Sequence, residues 1–481
     1  MQILLRFVSV SFNAFVSRKI GAEAMGLFSL VMSVYSFAVT FAASGVNLAA
    51  VRLTAKWTAQ ERSPRAVVRA CACYSLFFGL TAAALLFSLS EPIGAHLLGD
   101  GRTVPSLRAL ALSLPAISLS SALSGYFTGV RRVYKNAAAQ LFETFVRVSL
   151  TAAVLTLFAP AGIEFACLAV VGGSAAAEAF SLGAAFVLYL LEKRTAAQGG
   201  GSVREALPEV VRTALPVAVG SYARQGLVTA EHLAIPWGLR QSGASAAAAL
   251  ASYGTIHGMV WPLILFPAAV TGAFSSLLVP EFAACRERGE EERIRRMAES
   301  VMQTALLFGI GVSGIFIGFS WEIGEGIYPD TEAARYLAVL SPLIPVMYLD
   351  SAVDGMLKGL GEQLHSMKIN IADAAVCLSL VLLLIPRYGI AGYCAVQYVC
   401  ELLNAALSLS RLLAVTGMRV RVWRWVALPV AAVIAVSSAV HLLAGIPGVP
   451  LIGMGSGAAA RVIAVAAGYL AVLVFARKKV R

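Results

Sequence analysis

The chain has 481 residues, 59% of them hydrophobic and 13% charged, and its mean hydropathy is +0.79. A soluble domain carries about 25% charged residues, so this composition excludes an ordinary globular fold and fits a polytopic membrane protein. The net charge of +12 does not point to nucleic acid, because the basic residues cluster in short connections between apolar stretches.

About fourteen apolar spans of roughly 20 residues, the length that crosses a hydrocarbon core, follow in chain order. The first six cover 3–17, 24–51, 66–89, 104–129, 137–158 and 162–191. The polar connection over 192–206 contains Gly199-Gly200-Gly201 and reads as a flexible cytoplasmic linker. Six more spans cover 207–236, 245–280, 298–318, 334–358, 367–386 and 390–414, and two last ones cover 423–445 and 457–477. The expectation is an all-α membrane protein. It has an N-terminal six-helix lobe (1–191), a C-terminal six-helix lobe (207–414), then two additional helices and a basic tail (415–481). The first span lacks a basic leader and an A-x-A-like cleavage site, so it does not read as a signal peptide.

Connections after even-numbered spans, with the C-terminus, hold 20 Lys and Arg, and connections after odd-numbered spans hold 5. Cytoplasmic loops carry such an excess. Both termini are therefore expected in the cytoplasm, with the chain in the cytoplasmic membrane. Arg18 and Lys19 break the pattern, since they fall on the outer side. Seven cysteines, mostly within spans and without a C-x-x-C pair, do not form a disulfide framework or a zinc site. No cofactor is expected.

The chain also repeats itself. Gly125, Gly129, Glu143 and Ala161-Gly162 recur 230 residues later as Gly355, Gly359, Asp373 and Ala391-Gly392. Like halves inside a bilayer form an interface, and transporters place substrate sites at such interfaces. Gly125-x-x-x-Gly129 and Gly355-x-x-x-Gly359 are expected to allow close helix approach. A weaker echo links Gly21-Ala22, before the second span, to Gly243-Ala244, before the eighth.

Several stretches resemble a known family. Ser17-Arg18-Lys19-Ile20-Gly21-Ala22-Glu23-Ala24-Met25-Gly26-Leu27-Phe28 looks like the opening of polysaccharide flippases. Met259-Val260-Trp261-Pro262-Leu263, Leu277-Leu278-Val279-Pro280-Glu281 and Leu357-Lys358-Gly359-Leu360-Gly361 agree in order and spacing. The chain most resembles the SpoVB-like branch of the MOP superfamily, which also contains MurJ and the MATE exporters. The resemblance implies two six-helix lobes around a central cavity and export of lipid-linked sugars by alternating access. In the MurJ branch the first helix carries Arg-x-x-Gly-x-x-Arg. Here Arg6 matches the first position, while Ser9 and Phe12 replace the glycine and the second arginine, which argues against a simple lipid II flippase.

Charged residues inside a membrane are costly and mark candidate sites. Arg6 and Arg224 lie in the first helices of the two lobes. An arginine fork suits a diphosphate, so both, with Arg18, are candidate substrate contacts. Glu231 follows Arg224 by seven residues, about two turns. Glu143 and Arg147 share a helix face at i,i+4 spacing and are expected to pair. Asp373, at the repeat position of Glu143, has Cys377 where Arg147 would stand. Glu143, Arg147, Asp373, His257 and Asp354 are the candidate coupling residues, and the coupling ion, Na⁺ or H⁺, stays open. Asp350 and Asp354 form an i,i+4 acidic pair, which a hydrated face or a bound proton would relieve.

The function expected is the flipping of a lipid-linked saccharide or cell-wall precursor by a monomer. A MATE-like drug or cation antiporter is the rival reading. A membrane glycosyltransferase or polymerase would need a sizeable catalytic loop, and the longest connections here are only about 15–20 residues, so an enzyme is not expected.

Overall fold

A computed structural model describes residues 2–158, 163–192, 202–328, 330–418, 420, 422–444 and 457–478. The pair Ala161-Gly162, most of the 192–206 linker and the end of the basic tail lie outside these residues. Every regular element described is helical.

In chain order the helices are α1 (Gln2–Ala43), α2 (Val46–Ala59), α3 (Pro64–Ser88), the short α4 (Ser90–Pro92), α5 (Val104–Ala111), α6 (Leu114–Gly129), α7 (Val133–Phe158) and α8 (Ile163–Glu192). Then come α9 (Val203–Gln241), α10 (Ala246–Tyr253), α11 (Trp261–Glu287), α12 (Glu291–Gly318), α13 (Ser320–Ile327), α14 (Thr331–Leu340), α15 (Ile344–Gly359), α16 (Gln363–Thr416), α17 (Leu428–Ala444) and α18 (Gly457–Lys478). Proline stands in the first turn of α3, α5, α6, α11 and α15, where its missing N–H costs nothing. Ser245 and Asp330 cap α10 and α14 by accepting from the N–H groups of Ala248 and Glu332.

Nine helices among the described residues are long and apolar enough to cross a membrane, or ten if the bent pair of α5 and α6 counts as one span. The difference from fourteen has three physical sources. Spans one and two are continuous through α1 and into α2, bent at Gly21 (φ 78°, ψ 175°), and spans eleven and twelve are continuous through α16, bent at Gly389 (φ 58°, ψ −132°). Both bends need backbone angles that only glycine adopts without strain. Span seven, in α9, carries Arg212, Arg224 and Glu231 and so falls below the apolar threshold. Span fourteen is represented by the short apolar stretch Ala460–Leu473 within α18.

The chain forms two compact units. Unit 1 comprises Lys19–Arg240 and Ala244–Gly254; unit 2 comprises Gln2–Arg18, Gln241–Gly243 and Thr255–Arg481. The core of unit 1 joins α2, α3 and α6 to α9: Val46, Leu53, Trp57 and Tyr74 pack with Ala206, Val210 and Ala214. The core of unit 2 gathers α11, α12, α15, α17 and α18 around Phe282, Met302, Leu357, Trp425 and Tyr469. Each unit thus takes one long segment from the other half of the sequence: the start of α1 in unit 2 and α9 in unit 1.

The repeated glycines sit at equivalent packings within their own units. In α6, a Cβ on Gly125 would fall 2.6 Å from the Asn47 carbonyl oxygen and from Ala50 Cβ of α2, and one on Gly129 would fall 2.8 Å from Thr54 Cβ. In α15, a Cβ on Gly359 would fall 2.8 Å from the Val279 oxygen and Phe282 Cβ of α11, and one on Gly355 would fall 3.0 Å from Ser275 Cβ. Both motifs bring backbones together as expected. The weaker echo has a backbone counterpart too, since Gly21 and Gly243 both have positive φ (78° and 102°).

Candidate functional site

The candidate arginines are placed very differently. Arg18, at the end of the first straight stretch of α1, donates from Nε to the Ile327 carbonyl at 2.9 Å and from Nη2 to the Gly326 carbonyl. It therefore satisfies carbonyls left open at the C-terminus of α13. Arg6 is exposed in unit 2 and Arg224 is exposed in unit 1, near the middle of α9. Neither has a hydrogen-bond or ion-pair partner among the described residues. No ion pair joins Arg224 to Glu231, which is half-buried on the same helix.

In unit 1 a charged cluster ties α7 to α8. Arg147 pairs with Glu143, as their spacing predicts, and its Nη2 lies 3.1 Å from Glu178 Oε1. The Ser181 hydroxyl donates to Glu143 Oε2 at 3.0 Å. All three charged side chains are largely covered, with 36%, 21% and 18% exposure for Arg147, Glu143 and Glu178. Two carboxylates share one guanidinium, which leaves one negative charge in excess inside an apolar span. A proton or a small cation is the ordinary remedy for such an excess. Glu178 was not singled out from the sequence, although an acid within the span 162–191 is the same signal that marked Glu143.

In unit 2 the acids of α15 have separate partners. Lys358 Nζ lies 2.5 Å from Asp354 Oδ2, and Ser366 donates to Asp354 Oδ1. Asp350 accepts from Asn404 Nδ2 at 3.0 Å, while Asp350 Oδ1 and Asn404 Oδ1 are buried with no hydrogen-bond partner. Lys358 offsets the charge of Asp354, while Asp350 is held by an amide that carries no charge. Asn404 was not found from the sequence, since an amide 54 positions away gives no local cue. Asp373 is half-buried on α16.

His257 stands in a π-helical turn over 254–260, between α10 and α11. Its Nε2 lies 3.2 Å from the hydroxyl of Tyr393, which accepts from Trp261 Nε1 at 2.9 Å. The Tyr393 hydroxyl thus stands between Trp261 and His257, and the imidazole tautomer sets which of His257 and Tyr393 donates. The similar pair His232 Nδ1–Tyr253 hydroxyl, at 2.8 Å, lies in unit 1.

Residues 1–226 match the family described as polysaccharide biosynthesis protein. The stage V sporulation protein B of Bacillus subtilis (strain 168) is 28% identical over 422 residues, 84% of this chain and 76% of that protein. Among solved structures, the lipid II flippase MurJ in an inward closed conformation aligns over 99% of this chain and 98% of its own, with a TM-score of 0.74 at 12% identity. An inward-facing multidrug resistance MATE family transporter of the MOP superfamily aligns over 87% and 96%, with a TM-score of 0.69 at 14% identity. The chain is a homologue of the sporulation protein and carries the MOP-superfamily fold. The resemblance read from its glycine and proline motifs is borne out, and it is a multi-pass membrane protein of transporter architecture.

Proposed function

We propose that the chain flips a lipid-linked saccharide or cell-wall precursor across the cytoplasmic membrane by alternating access, as a monomer with both termini in the cytoplasm. The 20-to-5 asymmetry of basic residues supports this orientation. The similarity to a lipid II flippase and to a sporulation protein supports a lipid-linked, sugar-bearing substrate.

The observation that carries the reading is Arg224. A permanent charge midway along a membrane helix is tolerated with water, a partner or an anionic ligand, and Arg224 has no protein partner among the described residues. Its planar fork fits the diphosphate that links sugar to lipid. Arg6, also without a partner among the described residues, is a second candidate contact. Glu231 lies seven residues, about two turns, from Arg224 on α9 and remains a candidate lining residue. For coupling, the excess carboxylate at Glu143–Arg147–Glu178 is the strongest candidate in unit 1. In unit 2, Asp373 and His257 remain candidates, and Asp354 is already neutralised by Lys358. The test is a reconstituted flipping assay with fluorescent lipid-linked sugar. Arg224→Ala should abolish flipping without loss of membrane insertion, and Arg224→Lys should restore only part of it.

The rival, a drug or cation antiporter, draws on one observation: the excess acid of unit 1 and the His257–Tyr393–Trp261 cluster suit a cation. It gains if Arg224→Ala flips lipid-linked sugar normally while proteoliposomes exchange cationic dyes for protons.

A further inference from the structure

Unit 1 contains a cavity of about 240 Å³ that none of the proposed transport residues lines. It is enclosed by α1 just after its bend, the 98–102 connection, the end of α9 and the start of α10. Its walls mix charges with apolar side chains: Glu23, Asp100, Arg102 and Arg240 against Leu27 and Leu250.

The charges divide into a closed set and an open pair. Arg102 Nε lies 3.0 and 2.9 Å from the two Asp100 oxygens, and its Nη2 lies 2.6 Å from Asp100 Oδ2. Asp100 also caps the following turn by accepting from the Arg102 backbone N–H at 2.9 Å. Burial works to raise the Asp100 carboxyl, but the Arg102 hydrogen bonds and charge outweigh it and hold it below the usual carboxylate value. Asp100 is thus saturated by Arg102. Glu23 touches this set only through one long contact, Arg102 Nη2 to Glu23 Oε1 at 3.4 Å. Arg240 donates weakly from Nε to the Pro236 carbonyl at 3.4 Å and has no acidic partner among the described residues. Its guanidinium lies over Gly99, where an added Cβ would meet Nη1 at 3.2 Å, so the missing side chain lets it lie flat against the backbone.

Glu23 and Arg240 therefore face one cavity as unlike charges that do not pair with each other. The four charges sum to zero. A simple anion attracted to Arg240 meets Glu23, and a simple cation attracted to Glu23 meets Arg240. A molecule bearing both charges satisfies both walls, and its hydrocarbon part rests on Leu27 and Leu250. We propose that this cavity binds a zwitterionic group, its oxyanion on the Arg240 fork and its primary ammonium on Glu23. Such a group occurs on a soluble amino-phosphate or on a zwitterionic lipid headgroup. The site is independent of which substrate the protein transports.

The test uses the full chain in nanodiscs of phosphatidylglycerol, titrated calorimetrically with O-phosphoethanolamine. Saturable binding is expected, with inorganic phosphate alone and ethanolamine alone each at least tenfold weaker. Arg240→Gln and Glu23→Gln should each weaken binding at least tenfold, with unchanged melting. Nanodiscs of phosphatidylethanolamine distinguish the sources: competition with the soluble probe assigns the site to a lipid headgroup, and its absence to a soluble ligand. The proposal is overturned if O-phosphoethanolamine does not bind, if inorganic phosphate alone binds as tightly, or if both variants bind like the wild type. Should a variant fail to fold, the comparison of the three probes on the wild type decides by itself.

Discussion

Among the four glycines of the two Gly-x-x-x-Gly motifs the closest approach is at Gly125, and adding one methyl there should cost stability in a calculable way. In Gly125→Ala the new Cβ would stand 2.6 Å from the Asn47 oxygen and 2.6 Å from Ala50 Cβ. Ordinary contact begins at 3.4 Å, so α6 and α2 must separate by about 0.8 Å, or the carbonyl must turn out of its helix. The obstructing atoms are backbone and Cβ, which cannot swing aside as a side-chain tip can. Overpacking of this kind costs about 1–3 kcal/mol. Alanine is intrinsically the better helix former by about 1 kcal/mol, and that gain offsets part of the loss, leaving a net destabilisation of up to about 2 kcal/mol. In α15, Gly359→Ala meets the Val279 oxygen at 2.8 Å and should behave similarly. Gly355→Ala meets Ser275 Cβ at 3.0 Å and should be milder. Gly172 in α8 supplies the control, because nothing lies within 4 Å of its added Cβ; Gly172→Ala should be neutral or slightly stabilising. Equilibrium unfolding in mixed micelles, read by tryptophan fluorescence, measures all four. If Gly125→Ala is as stable as Gly172→Ala, the motif does not hold the helices at this distance and the packing argument fails.

Other substitutions separate structural from functional charges. Arg147→Ala strands Glu143 and Glu178 without their cation; with Arg147 partly exposed, the cost should be about 1–3 kcal/mol, and a second change, Glu178→Gln, should recover part of it in the same unfolding assay. Arg18→Ala removes two hydrogen bonds to the last carbonyls of α13. It should lower stability by about 1 kcal/mol while leaving flipping intact, and lost flipping at unchanged stability would instead make Arg18 a substrate contact. Asp100 is held below its usual value by Arg102, so it stabilises the fold above about pH 4 and ceases to do so as acid protonates it. Asp100→Asn should therefore lower the melting temperature at neutral pH and flatten its fall toward about pH 3.

The sequence conveyed the parts of this molecule that depend on local geometry. Gly125 and Gly359 were legible because close helix approach needs a residue without a side chain, whatever the partner helix is. The Glu143–Arg147 pair was legible because i,i+4 spacing fixes a shared face. The destination of α9 was not. Its apolar residues Ala206, Val210 and Ala214 announce a buried stripe, but such a stripe does not name its neighbours, and here they are α2 and α3. For the same reason the bends at Gly21 and Gly389 merge spans that hydropathy separates. Arg18 read as a candidate anion contact because its charge is conspicuous, whereas the carbonyls it satisfies lie more than 300 positions away. Asn404 and Glu178 complete clusters whose other members were visible, and only the fold supplies that completion.

Scaffold and charge follow different rules in the two repeats. The glycines that set helix spacing occupy matching positions and meet matching obstacles, so the mechanical frame of each unit is built alike. The charges placed on that frame are not alike. Glu143 has Arg147 one turn away and Glu178 across from it, while Asp373, at the matching position, has Cys377. Unit 2 instead gathers its acids on α15, where Asp354 is held by Lys358 and Asp350 by Asn404. A purely structural role for interior charge gives no reason for this divergence, because each ion is expensive in an apolar span and an apolar residue would pack at least as well. A transporter that answers to a proton or cation at one set of charges and to its anionic cargo at another does give a reason. The flipping assay then has a sharper form: Glu143→Gln and Glu178→Gln should change the pH or Na⁺ dependence of transport, whereas Arg224→Ala should abolish transport at every pH.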